Sequence, residues 1–166
     1  MWINVKTIPE TGLNLADTVD LDGNQLLERD SHFLEAVDYA VLLKRDGQGI
    51  KAQGKLKTIV SLPCVRCLES FELKINSRFD LMLFPLELMD QKNAALDAED
   101  MEYIFFEGGQ IDLEKLLLEQ VNLFIPFNPL CSPDCRGLCP NCGVNLNQDS
   151  CQCEESKNEI RFLFKK

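Results

Sequence analysis

Histidine, a frequent acid–base side chain in enzymes, is almost missing from this sequence. The 166 residues contain a single one, His32, and neither a nucleophile elbow nor a phosphate-cradling glycine loop accompanies it. A hydrolase or a transferase would therefore lack its usual parts, and His32 is best explained as an ordinary surface or strand-edge residue. The sequence predicts a protein that is not an enzyme and has no small-molecule substrate.

Long apolar runs are also missing. No stretch reaches the roughly 18 consecutive apolar residues of a membrane helix. Residues 1–5 alternate polar and apolar side chains, unlike the basic and apolar regions of a secretory signal. We therefore expect no membrane partner and a cytoplasmic location. Thiols stay reduced in that compartment, so closely spaced cysteines are better explained as metal ligands than as disulfides.

Positive charge is scarce as well. Seventeen Lys and Arg residues stand against 27 Asp and Glu, for a net charge of −10, which argues against a protein that coats nucleic acid through bulk electrostatics. The cations are nevertheless unevenly placed. Alternate residues of one predicted strand project to the same side, and a phosphate-facing stripe would contain Lys44, Lys51, Lys55, Lys57 and Arg66. A solvated sheet face is the competing interpretation.

Cysteine, by contrast, is abundant and closely paired. The eight residues form four pairs, which are Cys64 with Cys67, Cys131 with Cys135, Cys139 with Cys142, and Cys151 with Cys153. The CPNCG segment at 139–143 has the form of a zinc knuckle, in which a tight turn aims two sulfurs at one point. Because tetrahedral zinc takes four ligands, the sequence predicts one or two zinc ions.

The pairs can be grouped in more than one way. In the preferred grouping, the last four cysteines make a local site, and Cys64, Cys67, Cys131 and Cys135 make a second site that staples the C-terminal module to the rest of the chain. A swapped pairing stays open, and so does an iron–sulfur centre, since thiolates bind both metals. A thioredoxin-like redox pair is disfavoured because such pairs lie at a helix N-terminus, whereas the flanks of Cys64 and Cys67 are predicted strands.

The hydrophobic pattern predicts an α+β fold, in which an antiparallel β-sheet carries one main packed helix and a C-terminal cysteine-rich zinc module. Apolar and polar residues alternate over 33–43, 50–62 and 71–83, which predicts long strands joined by two hairpins, with the first cysteine pair in the second turn. Residues 1–8 and 101–106 are predicted to be further strands. Residues 9–31 show no assignable pattern beyond a brief helix.

One helix and three regions complete the predicted organisation. Asp112 is a good N-cap for a helix with a broad apolar face that Pro126 ends. We divide the chain into a β-rich domain at 1–130, a zinc-knuckle module at 131–153 and a docked tail at 154–166. In the small polar module, bound metal would supply folding free energy that apolar burial does not.

The placed motifs support a resemblance to a known family. The CVRCL segment at 64–68 and the GLCPNCGVNLN segment at 137–147 resemble those of the YceD-like family, which is named for large-subunit ribosomal RNA accumulation. The resemblance implies a small cytosolic factor acting in ribosome assembly. Its partner would be large-subunit ribosomal RNA, or a ribosomal protein or assembly intermediate.

Two other classes of function compete with that expectation. An adaptor that binds a basic partner, such as a ribosomal protein, accommodates the net charge of −10 better than direct RNA binding does. A thiol oxidoreductase using Cys64 and Cys67 is the enzyme alternative. The number of bound zinc ions, and any reduction of disulfide substrates, would separate the oxidoreductase from the other two.

Overall fold

Long antiparallel strands form the centre of the protein. In the computed structural model, which describes residues 1–88 and 102–153, two hairpins join β4 (Val37–Asp46), β5 (Gly49–Pro63) and β6 (Ser70–Pro85). The register places Ala52 between Leu43 and Leu81, so that the alternating apolar residues of the strands share one face. The two predicted hairpins are confirmed.

The remaining strands are short. They are β1 (Trp2–Asn4), β2 (Leu13–Val19), β3 (His32–Phe33), β7 (Glu102–Phe106) and β8 (Gln110–Asp112), and one-turn 3₁₀ helices span Val5–Thr7, Gly23–Gln25 and Leu86–Leu88. The main sheet has the order β2-β4-β5-β6-β7, with β3 also paired to β5, while β1 and β8 form a separate two-stranded sheet.

The sheet differs from the predicted one in two ways: one edge strand is parallel to its neighbour, and one predicted strand is interrupted. Strand β7 runs parallel to β6, which makes the sheet mixed, although its other pairings are antiparallel. The strand predicted at 33–43 divides into β3 and β4 because the N–H groups of Leu34 and Glu35 both point to the carbonyl oxygen of Ile59, at 2.8 and 3.4 Å. Two residues facing one are typical of a bulge.

Two predictions near the N-terminus were incomplete. Residues 13–19, placed in an unassigned region, form the edge strand β2, which pairs along β4. Leu13, Asn14 and Leu15 alternate, but Ala16, Asp17 and Thr18 interrupt the pattern, and only the pairing identifies the whole strand. Residues 1–8 do not form one strand, because the Asn4 side chain accepts a hydrogen bond from the Lys6 N–H at 2.9 Å and begins a 3₁₀ turn.

Helix α1 (Leu113–Phe124) packs on the apolar face of the sheet and lies against β6. It begins at the predicted cap, where the Asp112 carboxylate accepts a hydrogen bond from the Lys115 N–H at 3.3 Å, and it ends before Pro126. Its buried face joins the main hydrophobic core through Leu113, Leu116, Leu117, Leu118 and Val121. The predicted helix is confirmed.

Replacing Asp112 by Ala is expected to lower the free energy of unfolding by about 1 kcal/mol. The Lys115 N–H would lose its acceptor, and the N-terminal ammonium of Met1 would lose a carboxylate 3.8 Å away. Denaturant titration measures the change. Asp112→Asn keeps an acceptor at the cap and should recover most of the loss, whereas equal midpoints for the Ala variant and the wild type would contradict the cap's contribution.

Parts of the predicted organisation lie outside the described residues. These are the docked tail at 154–166 and the first residue of the strand predicted at 101–106. Among the residues that the structure does describe, no helix is both long and apolar enough to cross a membrane.

Candidate metal centre

The eight cysteine sulfurs gather at two points of the structure. Site 1 consists of Cys64, Cys67, Cys131 and Cys135, and site 2 consists of Cys139, Cys142, Cys151 and Cys153. Within each site the sulfur atoms all lie within 4.8 Å of one another, and all eight cysteines are free thiols. The structure therefore brings the cysteines together in the preferred grouping and not in the swapped one.

Site 1 joins the tip of the second hairpin to the chain that follows helix α1. The Cys64 N–H donates to the Glu69 carbonyl at 2.9 Å across the base of the turn, which extends the β5–β6 ladder up to the first sulfur pair. The segment leading to Cys131 is attached to the same tip, because the Val65 N–H donates to the Pro129 carbonyl at 3.0 Å. Two segments that are distant in sequence thus meet at one set of ligands.

Three of the four thiols of site 1 are buried. Cys64, Cys67 and Cys135 are at most 4% exposed, and Phe71, Leu130 and Leu138 pack around them. Burial raises the pKa of the Cys64 thiol, but the backbone N–H groups of neighbouring residues outweigh burial and lower that pKa to about 6. Cys64 therefore carries a thiolate at neutral pH, which is the form that binds metal.

Site 2 is formed within the C-terminal module. The Gly143 N–H donates to the Cys139 carbonyl at 2.9 Å, and Gly143 adopts a φ of 74°, in the left-handed region that favours glycine. The N–H groups of Cys142 and Asn141 lower the pKa of the Cys139 thiol to about 6. Cys142 and Cys153 are exposed, whereas in site 1 the exposed cysteine is Cys131, so site 2 is more open to solvent than site 1.

The sulfur spacing indicates what each site can hold. A Zn–S distance of about 2.3 Å places the sulfurs of a tetrahedral site about 3.8 Å apart. Sulfur separations are 3.7 Å for Cys64 and Cys135, 3.7 Å for Cys67 and Cys131, 3.6 Å for Cys142 and Cys151, and 3.2 Å for Cys139 and Cys151. Three of these four separations match the tetrahedral spacing, and the Cys139 and Cys151 sulfurs are closer. Each set therefore offers four sulfurs for one tetrahedral ion, whereas a cluster of several irons distributes its thiolates over more than one metal.

A polar side chain that the sequence analysis did not single out also contacts site 1. Asn147 donates from Nδ2 to the Cys135 sulfur at 3.3 Å, and its Oδ1 accepts from the Arg136 N–H at 2.7 Å. The only signal in the sequence is a pair of asparagines shortly after the knuckle. That signal does not reveal a contact with the other cysteine group.

The candidate basic residues fall into two places. Lys44, Lys51, Lys55 and Lys57 lie on the solvent face of the sheet, opposite the core. There Lys44 is the cross-strand partner of Lys51, and Lys55 that of Arg78. Lys74 lies on the same face of β6, and the sequence analysis missed both it and Arg78, because only the strand register shows them. We call these six residues, Lys44, Lys51, Lys55, Lys57, Lys74 and Arg78, the basic face.

Arg66 does not belong to the basic face. It lies in the turn of the second hairpin, where its Nη1 donates to the Cys135 carbonyl at 2.9 Å. The predicted stripe is therefore divided, because Arg66 follows the end of β5 and the turn directs its side chain to site 1. This hydrogen bond links the hairpin turn to Cys135 of site 1. Arg66 therefore adds no positive charge to the basic face.

Comparison with known proteins adds the family. The family model described as "Large ribosomal RNA subunit accumulation protein YceD" matches residues 52–164, a range that contains all eight cysteines. This chain belongs to the YceD family. The resemblance seen in the CVRCL and GLCPNCGVNLN segments is thereby confirmed.

Individual relatives in the comparison are distant. An uncharacterized protein of Mycobacterium tuberculosis is 31% identical over 145 residues, covering 83% of this chain and 65% of the relative. The chloroplastic "Large ribosomal RNA subunit accumulation protein YCED homolog 1" is 28% identical in Arabidopsis thaliana and 29% in Zea mays, covering 74% and 70% of this chain. This chain spans 65% of the mycobacterial protein and less than half of the two plant proteins. No solved structure matches.

Proposed function

We propose that this chain is a non-catalytic, zinc-binding cytoplasmic factor that supports the accumulation of large-subunit ribosomal RNA and the assembly of the ribosome. The observation that carries the proposal is the match to the YceD family model over a range that includes both four-cysteine sites. Zinc is preferred because four thiolates at this spacing suit a single ion without redox chemistry.

The proposed role of the metal is architectural. Bound zinc supplies a rigid four-way cross-link, and the residues around site 1 show what that link would hold together. Cys64 and Cys67 belong to the β5–β6 hairpin, and Cys131 and Cys135 belong to the module. The Arg66 side chain and the Cys135 carbonyl add a direct hydrogen bond between the same two parts. Metal and hydrogen bond together would fix the module on the sheet.

The partner proposed for the basic face is the phosphate backbone of ribosomal RNA. In a chain of net charge −10, the solvent face of the sheet gathers six cations. Lys51 is paired with the Asp80 carboxylate at 3.3 Å, and Lys57 lies opposite Asp38 across the β4–β5 pair. Two cross-strand pairs, Lys44 with Lys51 and Lys55 with Arg78, place like charges directly opposite each other, which destabilises a sheet. A bound anion such as RNA phosphate would neutralise this repulsion, which gives the arrangement a function in binding.

Exchanging Lys44 and Lys55 for Glu tests the RNA contact, because the exchange should change stability and binding in opposite directions. Both like-charge pairs become opposite-charge pairs, so we expect the free energy of unfolding to stay equal or rise by a few tenths of a kcal/mol. We expect the affinity for ribosomal RNA to fall on the order of tenfold or more, and the salt dependence to flatten by about 0.7–0.9 for each phosphate that is no longer neutralised. Filter binding across a salt series measures both quantities.

A matched control has the same change of charge elsewhere. Lys6 and Lys115 are exposed and lie in a 3₁₀ turn and on helix α1, so Lys6→Glu with Lys115→Glu should leave RNA affinity nearly unchanged. If both double variants bind RNA equally well, or weaken equally, the basic face is not the RNA contact.

An adaptor for a basic ribosomal protein is the second candidate. The net charge of −10 favours it, because gathering cations on one face leaves the remaining surface more acidic still. Capture of assembly intermediates with and without ribonuclease separates the two candidates: binding that survives ribonuclease favours the adaptor, and binding that ribonuclease abolishes favours direct RNA contact.

Metal analysis and depletion test the proposal as a whole. We expect two equivalents of zinc in the purified full chain. Depleting the protein should lower large-subunit relative to small-subunit ribosomal RNA, and a variant lacking site 1 should not restore the level. Protein that contains no metal, or depletion that leaves the ratio unchanged, would remove the proposal.

A further inference from the structure

The side chain of Asn147 connects the two cysteine sites. It lies in the chain between Cys142 and Cys151, which both belong to site 2. Its amide nevertheless contacts site 1, donating to the Cys135 sulfur at 3.3 Å and accepting from the Arg136 N–H at 2.7 Å. A residue whose position depends on the site 2 loop thus stabilises a thiolate of site 1.

The loop that carries Asn147 is held in one conformation. The Asn145 Oδ1 accepts from the Asn147 N–H at 3.0 Å and from its Nδ2 at 2.9 Å. The Asp149 N–H donates to the Asn145 carbonyl, and the Leu146 N–H donates to the Gly137 carbonyl, each at 2.9 Å. These bonds place the amide beside Cys135 and leave it little freedom to rotate.

The segment that joins the two sites, Gly137 and Leu138, also contacts the tip of the second hairpin. The Leu138 N–H donates to the Arg66 carbonyl at 3.1 Å. A Cβ added at Gly137 would lie 3.0 Å from the same carbonyl oxygen, and Gly137 adopts a φ of 74°. The backbone between the sites therefore lies directly against the hairpin tip, and only a residue without a side chain fits there.

The ends of the Asn147 loop depend on site 2. Cys142 is exposed and Cys151 is half-buried. The eight residues between them bury little apolar surface, so packing alone does little to fix the loop. An ion bound at site 2 would join those two ends and reduce the conformational freedom of the loop before Asn147 reaches Cys135. Hydrogen bonds from such outer side chains orient thiolate ligands and stabilise their charged form.

We infer that the two sites bind metal cooperatively, with Asn147 as the positioning residue that couples them. This inference rests on the proposed metal binding. Metal at site 2 raises the affinity of site 1 and, because coupling between binding sites is reciprocal, metal at site 1 raises that of site 2 by the same factor. Since site 2 is the more exposed, loss of its metal loosens the attachment of the module to the hairpin.

Zinc-loaded full chain, titrated with a competing chelator, tests the coupling. Asn147→Ala is expected to weaken zinc binding at site 1 by about 10–100-fold. Asn147→Asp should weaken it at least as much, because a carboxylate keeps the acceptor for the Arg136 N–H but cannot donate to the Cys135 sulfur. Gln148→Ala is the matched control, since within the described residues the Gln148 side chain makes no hydrogen bond to a cysteine sulfur. It should bind as the wild type does.

Removing site 2 provides the second arm of the test. A Cys142→Ser, Cys153→Ser variant, titrated with Co²⁺ and followed by thiolate absorption, should show site 1 weakened by about the same factor. Adding Asn147→Ala to that variant should have little further effect. Site 1 affinity that is unchanged without site 2, or an Asn147→Asp variant that binds like the wild type, would overturn the inference. Two ions bound independently would leave the proposed function intact, whereas no bound ion would overturn both.

Discussion

Removing the proposed zinc from this protein is expected to unfold residues 131–153 while the sheet and helix α1 stay folded. Within the module the buried side chains are those of Cys135 and Cys139, so thiols occupy the places that apolar residues fill in an ordinary core. A structural zinc site contributes folding free energy on the order of 10 kcal/mol, which exceeds what the half-buried Leu138, Val144 and Leu146 supply by burial. Backbone hydrogen exchange with and without chelator measures the loss of protection.

Two single variants separate the sites within that prediction. Cys64→Ser removes a proposed ligand that is fully buried, and Cys142→Ser removes a proposed ligand that is exposed. Each should retain one zinc equivalent in place of two. Cys64→Ser should detach the module from the hairpin, which proteolysis after the helix would detect, whereas Cys142→Ser should weaken that attachment without abolishing it. Equal protection of residues 131–153 in metal-loaded and chelator-treated protein would show that the metal does not hold the module together.

Replacing Leu117 by Ala is expected to lower the free energy of unfolding by about 2–5 kcal/mol. Leu117 has no exposed surface and lies on the face of helix α1 that joins the main core. The cost combines lost apolar burial with the cavity that remains, because β6 and its neighbours are tied into a ladder and cannot close around the smaller side chain. Denaturant titration with the metal kept saturating measures the change in the sheet domain.

Leu123→Ala is the matched control for that experiment. It is the same substitution on the same helix, but 61% of Leu123 is exposed, so the change should stay within about 0.5 kcal/mol. If the two variants lose equal stability, helix α1 does not pack on the sheet through Leu117.

The strands show which parts of the fold a local sequence pattern predicts. Alternation along β5 and β6 predicts both strands and their hairpin because one face of each is buried. The edge strand β2 lacks a sustained signal of this kind, because Ala16, Asp17 and Thr18 interrupt its alternation. The strand predicted at 101–106 is confirmed as β7, but its parallel pairing with β6 was not predicted. Close approaches between side chains are similarly hidden. A Cβ at Gly54 would lie 2.4 Å from the Phe79 ring, and the sequence shows only a glycine within a strand.

Some features of the candidate site could likewise be predicted from the sequence, and others could not. Cysteine type and spacing establish that thiolate–metal chemistry is available, since CxxC turns direct two sulfurs to one point whatever surrounds them. Arg66 shows the opposite case. It was predicted to extend the stripe of strand lysines, but the turn carries its side chain to the Cys135 carbonyl. Arg78 joined the basic face only through its register with Lys55.

The sequence by itself determined the long strands, the capped helix, the four cysteine pairs and the family, because each depends on residues that are near one another in the chain. Only the tertiary structure decided that Cys64 and Cys67 share a site with Cys131 and Cys135, that Asn147 contacts that site from the other one, and that six cations share one face. The physical reason is distance along the chain. These contacts join segments whose meeting depends on the packing of the helix and the register of the sheet, and no local pattern records either.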